Sequence, residues 1–332
     1  MMRIGPDMLV RSSRKEAPLA RRASPTAGQT EIRRTPTRRT AALLAALITD
    51  LTLGEPSPHP VRGIGAMLTA GKERRRATSR WGAFLEGALV LGGTAALVGG
   101  MAALLQRAGS RTPILEGILL KPALAMKALL AAGDEVHGAL EAEDLDEARR
   151  LTAWHLVSRD TSALTASQIS SAVVESLSEN LVDSVVAPAA YYLLAGLPGA
   201  WIYRTVNTAD ALFGYRSPEF EWFGKTAART DDLLNLAPAR WTGAAILLAA
   251  GRPHLLPHLP REARKANGPN SGWPMGAVAL ALDVRLHKPG SYTLNGEARP
   301  PMATDIPRAI RLLRRSAVLA LGGLLVASGG AR

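Results

Sequence analysis

Between residues 170 and 242 an apolar background of Val, Ala and Leu carries Glu175, Glu179, Asn180, Asp183, Asn207, Asp210, Arg229, Asp231, Asp232 and Asn235. A carboxylate withdrawn from water must be paired, protonated or bound to a cation, so few folds can keep this many in an apolar stretch. Glu175, Glu179 and Asp183 recur at i, i+4 and i+8, which predicts three carboxylates along one helix face. Like charges so arranged repel. Mg²⁺ carrying a nucleotide would relieve them, because that ion takes oxygen ligands and keeps phosphate in its shell. The plain alternative is a solvated helix edge. Val173, Val174, Leu177, Leu181, Val182, Val185 and Val186 surround the acids and weigh against it.

Composition narrows the class. The chain of 332 residues is 47% hydrophobic and 20% charged, with a mean hydropathy of +0.05, so its apolar residues must be segregated into blocks. The net charge of +12 is concentrated at the start: residues 1–40 hold 10 Lys or Arg against 3 acids, which leaves about +5 for the remainder. No aromatic interleaving or nucleic-acid module accompanies this basic tail, so no nucleic-acid partner is expected. A cytoplasmic flank beside a membrane segment accounts for it better. Cysteine is absent, which excludes disulfides, thiolate nucleophiles and Cys zinc sites.

Taken in order, residues 1–39 are rich in Arg, Ser, Thr and Pro, lack hydrophobic periodicity and read as a disordered basic extension. Residues 40–330 read as one helical, membrane-embedded domain. Its first landmark is an apolar run ending in Asp50, followed by Gly54-Glu55-Pro56-Ser57-Pro58-His59-Pro60-Val61-Arg62. Proline ends the helix there, which leaves Asp50, Glu55, His59 and Arg62 at a turn able to hold an anion or a metal. Residues 81–105 form a run of 25 with Glu86 as their one charge, the clearest membrane span. Residues 114–132, interrupted by Glu116, Lys121, Pro122 and Lys127, suit an amphipathic interfacial helix. Residues 134–150 read as a charged helical segment, and Arg159 as a candidate for binding an anionic substrate. Residues 181–202 could span, but Asp183 and Pro188 predict that this segment faces protein or a cavity. Residues 267–274 are a turn-rich loop, and a short hairpin is expected near residues 292–296. Arg308, Arg311, Arg314 and Arg315 precede a last apolar stretch and place that end in the cytoplasm. The fold class is all-α: a polytopic helical membrane protein with amphipathic helices and polar loops.

The chain has no phosphate-binding Gly-x-x-x-x-Gly-Lys-Ser/Thr loop, no nucleophile elbow and no His-Glu-x-x-His helix. An acid- and amide-rich set with several Arg and Lys remains, which suits handling of Mg²⁺ and phosphate by positioning and charge neutralisation. Glu179, Asp183, Arg229 and Asp232 are the candidate catalytic groups. Glu175, Glu179, Asp183 and Asp231 are the candidate metal ligands. Asp50, His59, Arg62, Arg159, Asn180, Asn207, Asp210, Tyr215, Asn235 and Asn270 are the candidates for substrate or ATP binding.

The order of motifs resembles one family. The segment from Asp50 to Gly65, Arg159-Asp160-Thr161, Glu175 to Asp183, Ala187-Pro188, Tyr203-Arg204-Thr205-Val206-Asn207-Thr208-Ala209-Asp210, Gly214-Tyr215, Phe223-Gly224, Ala228-Arg229-Thr230-Asp231-Asp232, Pro238-Ala239-Arg240 and Pro269 to Pro274 stand in the sequence seen in the CobD/CbiB family. Those are the adenosylcobinamide-phosphate synthases of cobalamin biosynthesis, multi-pass proteins of the cell's inner membrane, and the resemblance covers about residues 40–327. It implies ATP-dependent amide formation, with Mg²⁺, between adenosylcobyric acid and (R)-1-amino-2-propanol or its O-phosphate. It also implies contact with membrane lipid and with other membrane enzymes of that pathway. Gly54-Glu55-Pro56 departs from the family, which more often has Asp before this Pro, and leaves the role of Glu55 open. A membrane transporter or non-catalytic membrane subunit that uses intramembrane acids as cation sites is the alternative; transport predicts inverted repeats, and none is visible.

Overall fold

The computed structural model describes residues 27–109, 112–157, 159–215 and 220–330. The chain divides into residues 1–35, of which only helical backbone from Ala27 is described, and a body running from Pro36. Most of the expected basic extension therefore lies outside the described residues. The body starts ahead of the boundary expected at residue 40, because Arg38 and Arg39 already have fixed partners: Arg38 Nε donates to Glu116 (3.1 Å), and Arg39 Nη1 to Leu193 O (2.7 Å).

The body is helical. Helix α1 (Ala27–Leu53) leads into α2 (Pro60–Glu73), whose Pro60 occupies the first turn while His59 caps it by accepting from Val61 N. α3 (Arg80–Gly109) contains the apolar run of residues 81–105. Its charge, Glu86, is spent at the helix start, where it accepts from Arg76 N and Ala77 N of the basic loop. α4 (Pro113–Leu120) and α5 (Met126–Glu141) replace the single interfacial helix expected over residues 114–132: Pro122 cannot continue an α-helix, and one 3₁₀ turn separates them. The charged segment after them is likewise split, since α6 (Leu145–His155) starts afresh at Asp144, which accepts from Glu147 N (2.9 Å).

The centre of the body is α7 (Ala166–Leu181) and α8 (Ala187–Phe213), joined without a loop by a π-helical turn at Val182–Val186. A reciprocal Thr165–Gln168 capping box starts α7. Ile169, Val173, Val174, Leu177 and Leu181 are fully buried on it, each such side chain contributing about 1.5–3 kcal/mol. α8 breaks at Gly196 (φ 71°), a backbone that L side chains avoid, just before Pro198. The groups this break frees are satisfied from outside: Gln106 Oε1 accepts from Leu197 N (3.1 Å), and Arg39 donates to the Leu193 and Leu194 carbonyls. Glu116 ties the surround together by accepting from Arg38, Gln106 and the Tyr192 hydroxyl.

α3 packs along α8, and α9 (Lys225–Ala249) lies between α8 on one side and α11 (Gly272–Leu282) and α12 (Asp305–Gly330) on the other. A short α10 (Leu259–Ala263) precedes α11. The two strands β1 (Leu286–Lys288) and β2 (Tyr292–Leu294) are antiparallel, with Lys288 opposite Tyr292. The hairpin is thus real but begins earlier than expected, with Pro289-Gly290-Ser291 as its turn. Two helical stretches, Arg80–Ala108 and Ala166–Phe213, are long and apolar enough to cross a membrane. Large apolar side chains are also exposed along the outside of several helices, among them Ile48, Leu89, Leu97, Leu104, Leu194, Leu233 and Val326.

Candidate active site

The i, i+4, i+8 acids do not share a face. Each step of four residues turns about 40° around an α-helix, so Glu175 and Asp183 are about 80° apart before the π turn adds its own displacement. Glu175 points to the hairpin, where it accepts from Ser171 Oγ (2.6 Å) and the Tyr292 hydroxyl (2.6 Å). Burial, together with the carboxylate beside it, pushes the Tyr292 phenol above its ordinary range and keeps it a donor. Asp183 points the other way, into a cavity of about 150 Å³ that it lines with Glu179, Asp210, Asp231, Asp232, Asn235 and the loop from Asn267 to Ser271. Glu179 stands at the boundary, because it also lines a second cavity of about 200 Å³ with Arg159, Glu175, Asn180, Lys288 and Tyr292.

Neutral donors hold the acids of the first cavity. The Tyr203 hydroxyl lies 3.2 Å from Asp183 Oδ1 and 3.0 Å from Asn235 Oδ1, and Asn235 Nδ2 donates to Asp231 Oδ2 (3.0 Å). Asn207 Nδ2 reaches the other Asp231 oxygen (3.4 Å), while Asn207 Oδ1 accepts from Arg204 Nη1 (3.3 Å). Arg204 Nη1 also reaches the Asp183 carbonyl (3.2 Å). Burial, followed by the negative charge of Asp183, raises Asp231 from the ordinary carboxylate range. Asn270 fastens the loop, with its Nδ2 donating to Asp232 O (2.7 Å) and its Oδ1 accepting from Arg240 (3.3 Å), whose guanidinium lies 4.7 Å from the centre of the Trp273 ring.

The structure thus brings together Glu179, Asp183, Asp210, Asp231, Asp232, Asn235 and Asn270, with Asn207 behind them and Arg159 and Asn180 in the adjoining cavity. It leaves Glu175 in the adjoining cavity with Glu179, outside the cavity that Asp183 and Asp231 line. Arg229 is exposed on α9 and does not line the cavity, because three-residue steps from Asp232 rotate it outwards. Tyr215 is exposed beyond the end of α8. Asp50 and His59 form part of a separate cluster: Lys121 Nζ lies 3.4 Å from buried Asp50 and 2.9 Å from Glu55, and His59 Nε2 lies 2.8 Å from Glu55; Arg62 is exposed and is not brought to either site. Burial raises the Glu55 carboxyl, but His59 and Lys121 outweigh it and hold the group below its ordinary value. Arg204 links the two regions, being close enough to Glu55 to feel its charge.

Sequence reasoning missed Tyr203, Arg204, Lys121 and Lys288 as functional groups. Tyr203 and Arg204 open a motif already noted, so their chemistry was in view without its direction. Lys288 has no local signal at all.

The chain matches the family model described as CobD/Cbib protein over residues 43–315. It belongs to the CobD/CbiB family. A probable cobalamin biosynthesis protein CobD of Pyrococcus furiosus is 41% identical over 275 residues, covering 80% of this chain and 91% of the relative. The cobalamin biosynthesis protein CobD of Rhodobacter capsulatus is 36% identical over 302 residues, 83% and 93% of the two chains. That of Halalkalibacterium halodurans is 34% identical over 313 residues, 86% and 97%. No solved structure matches the chain. The matched residues include those that line both cavities.

Proposed function

We propose that this CobD/CbiB protein is a membrane-embedded enzyme of cobalamin biosynthesis, joining adenosylcobyric acid to (R)-1-amino-2-propanol or its O-phosphate with ATP to give adenosylcobinamide or its phosphate. The observation that carries the reading is the cavity walled by Glu179, Asp183, Asp210 and Asp231, an all-oxygen set in which the Tyr203 hydroxyl and the Asn207 and Asn235 amides hold Asp183 and Asp231.

A carboxylate does not react with an amine unaided. In the proposed reaction a carboxylate oxygen of the corrinoid takes the terminal phosphoryl group of ATP and ADP leaves. The amine nitrogen then attacks the acyl carbon, phosphate leaves with the C–O bond electrons, and the nitrogen gives up a proton. Glu179, exposed at the junction of the two cavities, is the group to accept that proton. Asp183 and Asp231, held by Tyr203, Asn207 and Asn235, keep their oxygens fixed towards the cavity. Among the described residues no three His, Asp or Glu form a ready-made metal cage. Mg²⁺ is bound through one or two carboxylates plus substrate phosphates. Asp183 and Asp231 are the residues that would hold it, and it would neutralise phosphate charge.

The two span-length helices and the apolar side chains exposed along α1, α3, α8, α9 and α12 support a multi-pass placement in the inner membrane. The test is ATP-dependent amide formation in purified membranes from adenosylcobyric acid and either amine. Wild-type membranes that form no amide with either one sink the ligase reading and bring the transporter reading forward.

A further inference from the structure

The second cavity has a chemistry of its own. Its floor is one face of α7, with Ala172, Ser176, Glu179 and Asn180, and two cations border it. Arg159 comes from the loop between α6 and α7. That loop is shaped by Asp160 accepting from Ser162 N (2.9 Å) and Thr161 Oγ1 donating to Arg149 O (2.9 Å), so Asp160 is engaged with backbone. Lys288 comes from the end of β1, more than a hundred residues later.

Lys288 is aimed by the hairpin. Directly opposed residues of an antiparallel pair project from the same face, and Lys288 opposes Tyr292. The Tyr292 hydroxyl donates to Glu175, and Ser171 Oγ accepts from His287 N (2.8 Å), so the hairpin is fastened to α7 at two points. The face that carries Tyr292 to α7 also carries Lys288 into the cavity. Among the described residues neither Arg159 nor Lys288 has an ion pair or a side-chain hydrogen bond. Of the two carboxylates that line the cavity, Glu175 already accepts from two hydroxyls, and Glu179 lies close enough to Lys288 to feel its charge without a direct ion pair between them.

We infer that the cavity between Arg159 and Lys288 is a phosphate subsite that holds a phosphate group of a cosubstrate beside Glu179. A guanidinium and an ammonium from two different elements supply the donors such a dianion requires. The identity of the phosphate-bearing molecule rests on the ligase reading: it is the phosphorylated amino alcohol or the nucleotide. Charged groups of both signs in one cavity suit the former, since a small molecule with phosphate at one end places its amine at Glu179.

The test has two arms. In the first, inorganic phosphate is titrated calorimetrically into the detergent-purified full chain. Lys288→Gln and Arg159→Gln are expected to weaken binding at least tenfold, Lys288→Arg to retain it, and Arg311→Gln, on the exposed side of α12, to leave it unchanged. Equal phosphate binding by wild type and both Gln variants overturns the subsite. The second arm reads KM separately for ATP, the phosphorylated amine and the free amine. A rise confined to one phosphate-bearing substrate in both Gln variants supports the subsite and identifies its ligand. KM values that do not move, or that move equally for the free amine, overturn it. Because the first arm needs no turnover, a protein that binds phosphate through these two residues but makes no amide keeps the subsite and loses the ligase reading.

Discussion

The Tyr203 hydroxyl lies 3.2 Å from Asp183 Oδ1, and the same oxygen lies 3.0 Å from Asn235 Oδ1. A phenol has one proton, so it serves one acceptor at a time, and the π turn that carries Asp183 is thereby tied to α9 through a single fully buried ring.

Removing that hydroxyl in Tyr203→Phe leaves the packing intact and deprives Asp183 of a donor. The expected result is a stable, membrane-inserted protein with amide formation lowered about fivefold, in keeping with about 1 kcal/mol for one hydrogen bond. Asp183→Asn removes the charge itself and is expected to lower turnover about 100-fold or more. Near-normal rates in both variants would mean that the acids of this cavity do not serve the reaction.

The start of the chain supplies a second test. Residues 1–39 look dispensable by composition, yet Arg38 holds Glu116 and Arg39 caps the broken α8. A protein beginning at Thr40 is expected to be less stable than one beginning at Pro36 by about 3 kcal/mol, the sum of a few hydrogen bonds to charged groups. Thermal denaturation in detergent compares the two, and identical midpoints would show that Arg39 does not stabilise the break at Gly196.

Asp305, fully buried at the start of α12, accepts from both nitrogens of Arg299 (2.7 and 2.8 Å), from Met302 N (2.9 Å) and from Arg308 (2.6 Å). Burial raises its pKa, but these donors outweigh burial and hold it below the ordinary 3.8. A carboxyl depressed in the folded state stabilises above its unfolded pKa, and that stability is lost as pH falls through the folded value. The wild type should therefore lose stability from this group only below about pH 3.8. Asp305→Asn should cost about 1.5–3 kcal/mol at neutral pH, since the arginines it leaves are half-exposed, and remove that acid-sensitive component. Chemical denaturation at pH 7 and pH 3.5 measures both, and an unchanged acid slope in the variant would contradict the assignment.

The apolar side chains exposed on α3, together with the span-length helix that carries them, predict that the protein stays with membranes through alkaline carbonate and high-salt washes. Its appearance in the wash supernatant would count against a membrane-spanning fold.

The helical class, the apolar run of residues 81–105, the proline turn near His59 and the family are all legible along the chain, because each depends on local spacing or on the order of short motifs. Asp183, Asp231, Asp232 and Asn235 were found in the same way, as polar residues that an apolar helix would otherwise exclude. Direction was not legible. The 40° drift per four-residue step and the π turn at Val182–Val186 separate Glu175 from Asp183, and no propensity announces that turn.

The sequence alone determined which residues must be compensated, since a charge in an apolar segment needs a partner wherever that segment goes. Only the tertiary structure decided which partner each one has. Glu116 meets Arg38 and Tyr192, Asp183 meets Tyr203, and Lys288 reaches the cavity beside Glu179, in each case across a separation in the chain that the packing of helices closes. The reason is one of range: burial and helical period act over a few residues, whereas a hydrogen bond is satisfied by whichever donor the fold brings within about 3 Å.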